Sequence, residues 1–210
     1  MKLDLWFPTP VYSVMIDSHE SINTQLTEVI RQHQQQHPSI QASNMLGYHS
    51  NSDLHQQDDY QGLVSELNHA MREIESQEAI TQPCELVNLW FNINPVGSHN
   101  AEHTHPRSDW SGVYYVQTPA NSGVLHLQDP RDRAHSQELK LKPQQETNPR
   151  LWRETRYQPQ PGLLLIFPAW LRHSVGINLA QPDGEASDRI SLSFNFCLLY
   201  TSDAADDRIG

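Results

Sequence analysis

The stretch ELVNLWFNIN at residues 85–94 opens the part of the chain that decides the fold. Its second half alternates between apolar and polar side chains, as a strand with two different faces does. Further short β-type runs follow, bounded by Gly, Pro or polar residues, at 111–116, 124–128, 162–167 and 190–196. A weaker strand pattern lies at 138–141. This half of the sequence therefore predicts a series of short strands.

Two helices are predicted before these strands. Apolar residues recur at helical spacing between residues 18 and 36, and Pro38 stops that run. A second apolar stripe predicts a helix at 60–77. The segment between them, residues 39–58, is polar and predicts a loop.

The order of the elements indicates the fold class. Residues 5–16 contain two prolines and predict an edge strand. Two helices followed by many short strands favour a mainly β fold, a sandwich or barrel flanked by helices. The large aromatic side chains of this half are expected in its core, namely Trp90, Tyr114, Phe167 and Trp170.

Composition and charge argue against several classes of protein. The chain has 210 residues and a formal net charge of -11, which disfavours a nucleic-acid binder, because such a protein neutralises phosphates with a basic surface. No run reaches the roughly 20 apolar residues of a membrane span, and the first residues do not resemble a signal peptide. The two cysteines, Cys84 and Cys197, give no disulfide framework, so a cytoplasmic location is expected.

The C-terminal end differs in character from the rest of the chain. Residues 197–210 read CLLYTSDAADDRIG, which resembles the translation of a transposase adapter used in DNA library preparation. Such segments are set aside before the fold is considered. We therefore expect a single domain at 1–196, followed by a tail that is not native.

Three histidines form the strongest candidate for a functional site. The sequence EHTHP at 102–106 places His103 and His105 two residues apart, so in an extended segment both side chains point to the same face. His173 follows the apolar run at 162–167, and antiparallel neighbours could bring it to the same point. Imidazole is a common ligand of iron, zinc, copper and nickel. The spacing therefore indicates a mononuclear metal site inside a β-barrel.

Several motifs together resemble one known family. They are the His-x-His-Pro segment, SGVYYV at 111–116, DPR at 129–131, GLLLIFPAWLRH at 162–173, RISLSFN at 189–195 and the opening LWFPTPVY at 5–12. In these motifs the chain is similar to the 2-oxoglutarate/Fe(II)-dependent oxygenases seen in marine bacteria and phages. The resemblance implies a double-stranded β-helix (jelly-roll) core that binds Fe(II) and uses 2-oxoglutarate as cosubstrate.

The resemblance implies that His103, His105 and His173 bind the metal. In the superfamily the first two ligands come as His-x-Asp or His-x-Glu, so His105 stands where a carboxylate is usual. Two histidines and one carboxylate are the common ligand set of non-haem Fe(II). Asp109 and Asp129 are candidates for the missing carboxylate. Asp129 is the alternative third ligand, although its position also suits a turn residue.

The resemblance also implies residues that bind the cosubstrate. Arg189 would pair with the distal carboxylate of 2-oxoglutarate, because a guanidinium fork matches a carboxylate bidentately; the alternative is a surface ion pair. Ser191, on the same face two residues on, could add a hydrogen bond. Asn92, Asn94 and Tyr115 are expected to line this pocket, although the two asparagines also suit a solvated strand face.

These residues predict an Fe(II)- and 2-oxoglutarate-dependent dioxygenase that hydroxylates a substrate with O₂ and releases succinate and CO₂. The sequence does not name the substrate, and a small molecule or a peptide fits. Two alternatives stay open: a cupin-like metal enzyme that does not use 2-oxoglutarate, and a catalytically silent jelly-roll module that binds a partner. A zinc hydrolase would need a general base beside the metal, which the spacing does not supply.

Overall fold

The helices and strands pack as a sandwich of two antiparallel sheets, with two helices on the larger sheet. The computed structural model describes residue 2 and residues 6–40, 42–131 and 152–199. The strand expected at 138–141 lies outside these residues. The architecture confirms the predicted mainly β, jelly-roll fold with flanking helices.

Both predicted helices are present. Helix α1 comprises His19–Gln36 and helix α2 comprises Gln61–Gln77, which two 3₁₀ turns at Leu54–Gln56 and Asp58–Tyr60 precede. Helix α1 ends where it does because Pro38 disfavours a helical conformation in the residue before it. The apolar stripes of both helices are buried against the larger sheet.

Two sheets contain the strands of the described residues. The strands are β1 (Tyr12–Met15), β2 (Asn44–Met45), β3 (Tyr48–His49), β4 (Cys84–Asn94), β5 (His99–His103), β6 (Trp110–Gln117), β7 (Leu125–Gln128), β8 (Glu154–Tyr157), β9 (Leu163–Pro168), β10 (His173–Val175) and β11 (Arg189–Leu198). The six-stranded sheet has the order β1-β9-β6-β11-β4-β3, and the five-stranded sheet has the order β2-β5-β10-β7-β8. Neighbours in each sheet are mostly distant in sequence, so the pairing depends on long-range contacts.

The six-stranded sheet has two unlike sides, which we call the helix side and the cavity side. On β11, Ile190, Leu192 and Phe194 are buried among the apolar residues of the helices. The residues between them, beginning with Arg189 and Ser191, face the space between the two sheets. This division follows from the two-residue period of a strand.

The sequence predicts a loop at 39–58, and this prediction is wrong for two short strands. β2 pairs with β5 and β3 pairs with β4, so the chain crosses from one sheet to the other at Leu46 and Gly47. A Cβ atom at Gly47 would lie 2.3 Å from Asn44 Oδ1 and 2.8 Å from the carbonyl oxygen of Ile93, so this crossing needs glycine.

The expected aromatic core is only partly correct. Trp90, Tyr114 and Phe167 are buried, whereas Trp170 is 55% exposed. Trp170 continues the apolar run of β9 in the sequence, but it lies in the turn that follows this strand. Its side chain therefore escapes the alternation that buries residues within the strand.

Candidate metal centre

Three histidines meet where β5 ends and β10 begins, at one end of these two strands of the five-stranded sheet. β5 and β10 are antiparallel neighbours, and His103 and His173 are directly opposite each other in this pair. His105 lies two residues beyond the end of β5, where its backbone N–H donates to the carbonyl of Ala169 at 2.9 Å. The structure therefore brings together the three histidines that the sequence singles out.

The three imidazole rings converge closely enough for one ion. One nitrogen from each ring lies within 4.8 Å of the others, and the Nε2 atoms of His105 and His173 are 3.2 Å apart. The ring centroids of His103 and His173 are 4.3 Å apart. Within the described residues this is the only such group of three histidine, cysteine or acidic side chains. A set of neutral nitrogen donors suits a transition metal such as iron.

Backbone carbonyls fix the orientation of two of the rings. Nδ1 of His103 lies 2.7 Å from the carbonyl of Ala101, and Nδ1 of His173 lies 2.8 Å from the carbonyl of Leu171. A carbonyl only accepts, so each Nδ1 carries the proton and each Nε2 keeps its lone pair free. Metal-binding histidines in proteins are oriented by this kind of contact. The donor set therefore fits a bound metal ion.

Burial favours the neutral form that binds metal. Desolvation, followed by the neighbouring His173 and His103, lowers the pKa of His105 to about 3. Desolvation and the neighbouring His103 lower the pKa of His173 to about 4, against the hydrogen bond to Leu171. Both rings are therefore neutral near pH 7 and available as ligands.

The two candidate carboxylates lie elsewhere. Asp129 accepts two hydrogen bonds from the guanidinium of Arg131, at 2.9 and 2.7 Å. Asp109 accepts from the backbone N–H of Leu198 at 2.7 Å. Neither belongs to the group around His105, so the slot that is usually acidic is filled by an imidazole next to the other two rings.

A buried arginine lies in the same cavity as the histidines. Arg189 is 1% exposed and, with the three histidines, lines a cavity that is partly open to solvent. Its Nη1 donates to the carbonyl of Ser122 at 2.5 Å and to that of Gly176 at 3.4 Å. Burial lowers the pKa of its guanidinium to about 10, against the influence of Tyr115. No carboxylate of the described residues pairs with Arg189, so this cation lacks the partner that burial requires.

Other predicted pocket residues surround Arg189 on the cavity side. Ser191 is opposite both Asn92 on β4 and Tyr115 on β6. All three line the cavity, and Tyr115 is 2% exposed. Desolvation raises the pKa of Tyr115 to about 12, so its hydroxyl is a neutral donor.

Asn94 belongs to a network of hydrogen-bonded amides that includes the cavity-lining residues Asn92 and Asn100. It donates to Asn44 Oδ1 at 3.0 Å and to Asn100 Oδ1 at 3.4 Å. Asn44 in turn donates to Asn92 Oδ1 at 3.1 Å and to the carbonyl of Tyr48 at 2.9 Å. Because a carbonyl only accepts, Tyr48 fixes the direction of the whole network. The NH₂ groups of Asn92 and Asn100 are therefore left for the cavity that both residues line.

Sequence reasoning missed several residues of this site. Ser43 and Asn100 line the cavity, and Trp90, which was expected only in the core, lines it as well. The Trp90 ring packs against His105, with centroids 5.7 Å apart, and it also stacks on His49 at 5.7 Å. The period-two pattern of β4, which puts Trp90 on the same face as Asn92, was the one signal that could have identified it.

The fold and the site define a jelly-roll protein with three histidines that can hold one metal ion and a buried arginine in the same cavity. The family model described as "Putative 2OG-Fe(II) oxygenase" matches residues 88–195, just over half of the chain. The protein therefore belongs to the 2OG-Fe(II) oxygenase family. Its metal is Fe(II), and its cosubstrates are 2-oxoglutarate and O₂.

Solved structures share this fold at low sequence identity. A Pseudomonas putida prolyl-4-hydroxylase is 14% identical with a TM-score of 0.62, and the match covers 91% of this chain and 94% of that chain. The epimerase SnoN, in complex with Fe³⁺, alpha ketoglutarate and nogalamycin RO, is 12% identical with a TM-score of 0.63, over 90% of this chain and 79% of that chain.

A third structure is HygX from Streptomyces hygroscopicus with nickel, 2-oxoglutarate and hygromycin B bound. It is 11% identical with a TM-score of 0.60, and the match covers 91% of this chain and 84% of that chain. At these identities the likeness shows the fold alone. No curated protein matches the chain. None of the helices in the described residues is long and apolar enough to cross a membrane.

Proposed function

We propose that this oxygenase hydroxylates its substrate, with His103, His105 and His173 as the iron ligands. The three rings converge, two of them are locked by backbone carbonyls, and burial keeps His105 and His173 neutral. Asp129, the alternative third ligand, is engaged by Arg131. The substrate is a small molecule or a peptide.

The observation that supports the cosubstrate site most strongly is Arg189. Its guanidinium is 1% exposed, and no carboxylate of the described residues pairs with it. Burying such a charge lowers the stability of the fold unless an anion pairs with it. A dicarboxylate that reaches from the three histidines to Arg189 would supply that anion. In this proposal Ser191 and Tyr115 donate hydrogen bonds to it, Asn92 presents its NH₂ group, and Asn94 orients the amides.

Each part of the site has a task in the reaction. When bound, iron and 2-oxoglutarate supply the oxidising chemistry, in which one oxygen atom of O₂ goes to the substrate and the other to succinate as CO₂ is released. The carbonyls of Ala101 and Leu171 hold Nε2 of His103 and His173 in the direction of the metal. Apolar residues between the sheets exclude water, chiefly Val113, Leu125, Leu165 and Phe167.

An anaerobic titration tests this function. Fe(II) and 2-oxoglutarate together should give the visible charge-transfer band of a chelated complex, and admission of air with a suitable substrate should yield succinate. A protein that binds neither metal nor 2-oxoglutarate would contradict the proposal and favour the silent binding module. Metal binding without 2-oxoglutarate binding would favour the cupin-like enzyme, although that alternative gives no reason for Arg189 to be enclosed beside the histidines.

We also propose that residues 1–196 form one domain, that the tail from 197 is not native, and that the protein acts in the cytoplasm. Both cysteines are free thiols, which suits a reducing compartment. β11 nevertheless continues to Leu198, where Cys197 is opposite Glu85. Because residues 197 and 198 complete this strand, the test removes only the part of the tail beyond them: a chain that ends at residue 199 should unfold at the same urea concentration as the full chain. A clear loss of stability would contradict a dispensable tail, and a membrane or periplasmic fraction would contradict the location.

A further inference from the structure

His105 differs from the other two histidines in what its second nitrogen does. Nδ1 of His103 and Nδ1 of His173 each donate to a carbonyl of their own strand region. Nε2 of His105 faces His173, and its Nδ1 makes no hydrogen bond within the described residues and is not a fully enclosed atom. If Nε2 binds the metal, Nδ1–H is an unused donor beside the reaction centre.

A carboxylate in this slot would present the opposite chemistry. An Asp or Glu ligand turns a second oxygen, an acceptor with negative charge, towards whatever lies beside it. When Nε2 of His105 binds the metal, its ring offers a donor, Nδ1–H, instead. The replacement therefore changes both the charge of the site and the polarity of the hydrogen bond that a neighbouring group can make.

The charge balance of the loaded site points the same way. Arg189 is the one charged side chain among the described residues that line the cavity, and no carboxylate lines it there. Fe(II) and the dianion of 2-oxoglutarate cancel formally, and three neutral imidazoles add no charge. Arg189 then leaves the site with one excess positive charge, which the usual ligand carboxylate would have balanced.

We propose that the space beside His105 and Trp90 is a substrate subsite for a carboxylate, with Nδ1–H of His105 as its donor. The subsite rests on the function proposed above, because it requires His105 to bind the metal. Trp90 is 9% exposed and lines the cavity with its ring 5.7 Å from that of His105. Together with Val113 and Phe167 it gives the cavity an apolar lining for the remainder of such a substrate. The substrate class is thus an acid with an apolar body rather than an amine.

A matched pair of probes tests this subsite. The protein is loaded with Ni(II), a redox-inert substitute for Fe(II), and with 2-oxoglutarate, and is titrated calorimetrically with 3-phenylpropionate or 3-phenylpropylamine at pH 7.5. The two compounds differ in the sign of their charge. We expect the acid to bind at least tenfold more tightly than the amine. Equal binding, tighter binding of the amine, or no binding of either would overturn the proposal.

Two variants, whose new side chains Gln and Glu have the same shape, isolate the role of His105. His105→Gln keeps a neutral ligand with a donor, and we expect it to keep the preference for the acid. His105→Glu supplies a carboxylate in the same slot, and we expect the preference to fall by about tenfold or to reverse. A preference that is unchanged in His105→Glu would assign it to Arg189 alone and reject the donor role of His105.

Separate readouts distinguish this proposal from the function on which it rests. Nickel content and the Kd of 2-oxoglutarate are measured first for every protein; failure of the wild type to bind them would contradict the proposed function itself. If a variant at position 105 does not fold, Trp90→Leu gives a second measure. It should weaken both probes equally and leave the preference for the acid intact, whereas loss of the preference with His105 present would reject the assignment.

Discussion

The two sides of the six-stranded sheet differ most clearly on β4 and β11, which carry apolar side chains on the helix side and mainly polar ones on the cavity side. On the helix side, residues such as Phe91, Ile93 and Phe194 are fully buried in one apolar cluster with α1 and α2. On the cavity side, Arg189 and Ser191 are also buried, but they line the cavity that contains the three histidines. Residues that are equally buried therefore belong either to the apolar core or to the lining of the cavity.

This difference indicates that the helix side contributes mainly to stability and that the cavity side serves mainly the proposed function. Apolar burial on the helix side stabilises the fold in the ligand-free protein. On the cavity side, buried Arg189 has no carboxylate partner among the described residues, which is unfavourable for the stability of the ligand-free protein. Substitutions on the two sides should then give opposite patterns of effect.

The largest effect is expected from Phe194→Ala on the helix side. Phe194 is 0% exposed and packs edge-on against Phe196 with ring centroids 5.8 Å apart. Its truncation should lower the free energy of unfolding by about 3–5 kcal/mol, as measured by urea titration. Ser193→Ala, the adjacent residue on the cavity side, is the control and should change stability by less than about 1 kcal/mol. Similar losses for both variants would break the comparison.

Arg189→Ala on the cavity side should do the reverse. We expect 2-oxoglutarate to bind about 100-fold more weakly, because the other charge of a buried pair is left unpaired. Metal affinity should be retained, and the ligand-free variant should lose less stability than Phe194→Ala. Equilibrium dialysis of the metal and anaerobic titration of 2-oxoglutarate measure the two affinities. Equal loss of both would contradict the role assigned to Arg189.

Arg31→Gln tests the ion pair between Arg31 and Asp188. Nη1 of Arg31 on α1 lies 2.8 Å from Oδ2 of Asp188, with both side chains only 12–13% exposed. Asp188 directly precedes Arg189, so we expect the variant to lose about 1–2 kcal/mol of stability, since an unpaired charge remains at a largely buried site. The matched control is Arg156→Gln: Arg156 is 66% exposed and its partner Glu154 is 29% exposed, so the substitution should cost almost nothing. Equal losses in thermal unfolding would reject this contrast.

Ser191→Ala should have a smaller and purely functional effect. The loss of one hydrogen bond to a charged ligand should weaken 2-oxoglutarate by about five- to tenfold. The free energy of unfolding in urea should stay close to that of the wild type. A loss of stability without a change in 2-oxoglutarate affinity would assign Ser191 to the fold instead of the ligand site.

The smallest effect concerns pH on the helix side. The ring of His33 packs edge-on against Phe91, with centroids 5.3 Å apart. Burial and then the neighbouring His37 lower its pKa below 6.5, against Asp53 and Asn51. The unfolded chain therefore binds the proton more readily than the folded chain, so acidification destabilises the fold as pH falls below 6.5.

His33→Gln should remove this contribution. Its urea midpoint should fall less between pH 7.5 and pH 5.5 than that of the wild type, because the variant has no proton to bind at this position. Identical pH dependence in the two proteins would exclude His33 as a titrating group of the helix side.

Most of the helix side could be predicted from the sequence. The apolar stripes of α1 and α2 and the alternation in β4 and β11 are local patterns, and the structure confirms all four elements. The convergence of His103 and His173 was also expected from spacing along the strands, whereas the place of Arg189 was implied by the family resemblance.

The remainder of the site could not be predicted, because it depends on distant pairing. β2 and β3 have two residues each, and they become strands only through contacts with β5 and β4. Asn44 and Asn100 carry no local signal, yet the register of β2 and β5 makes them opposite neighbours. Trp170 shows the opposite error, since an apolar run predicted burial where the chain turns.

The carbonyl contacts of His103 and His173 have a consequence for mutation. Each of these rings is aligned by a main-chain oxygen two residues earlier, at Ala101 and Leu171. A main-chain oxygen is present whatever the side chain at that position, so substitutions at Ala101 and Leu171 should leave both rings oriented. His105 has no such anchor within the described residues. The third position is therefore the one that evolution, or an engineer, can exchange while the other two stay aligned.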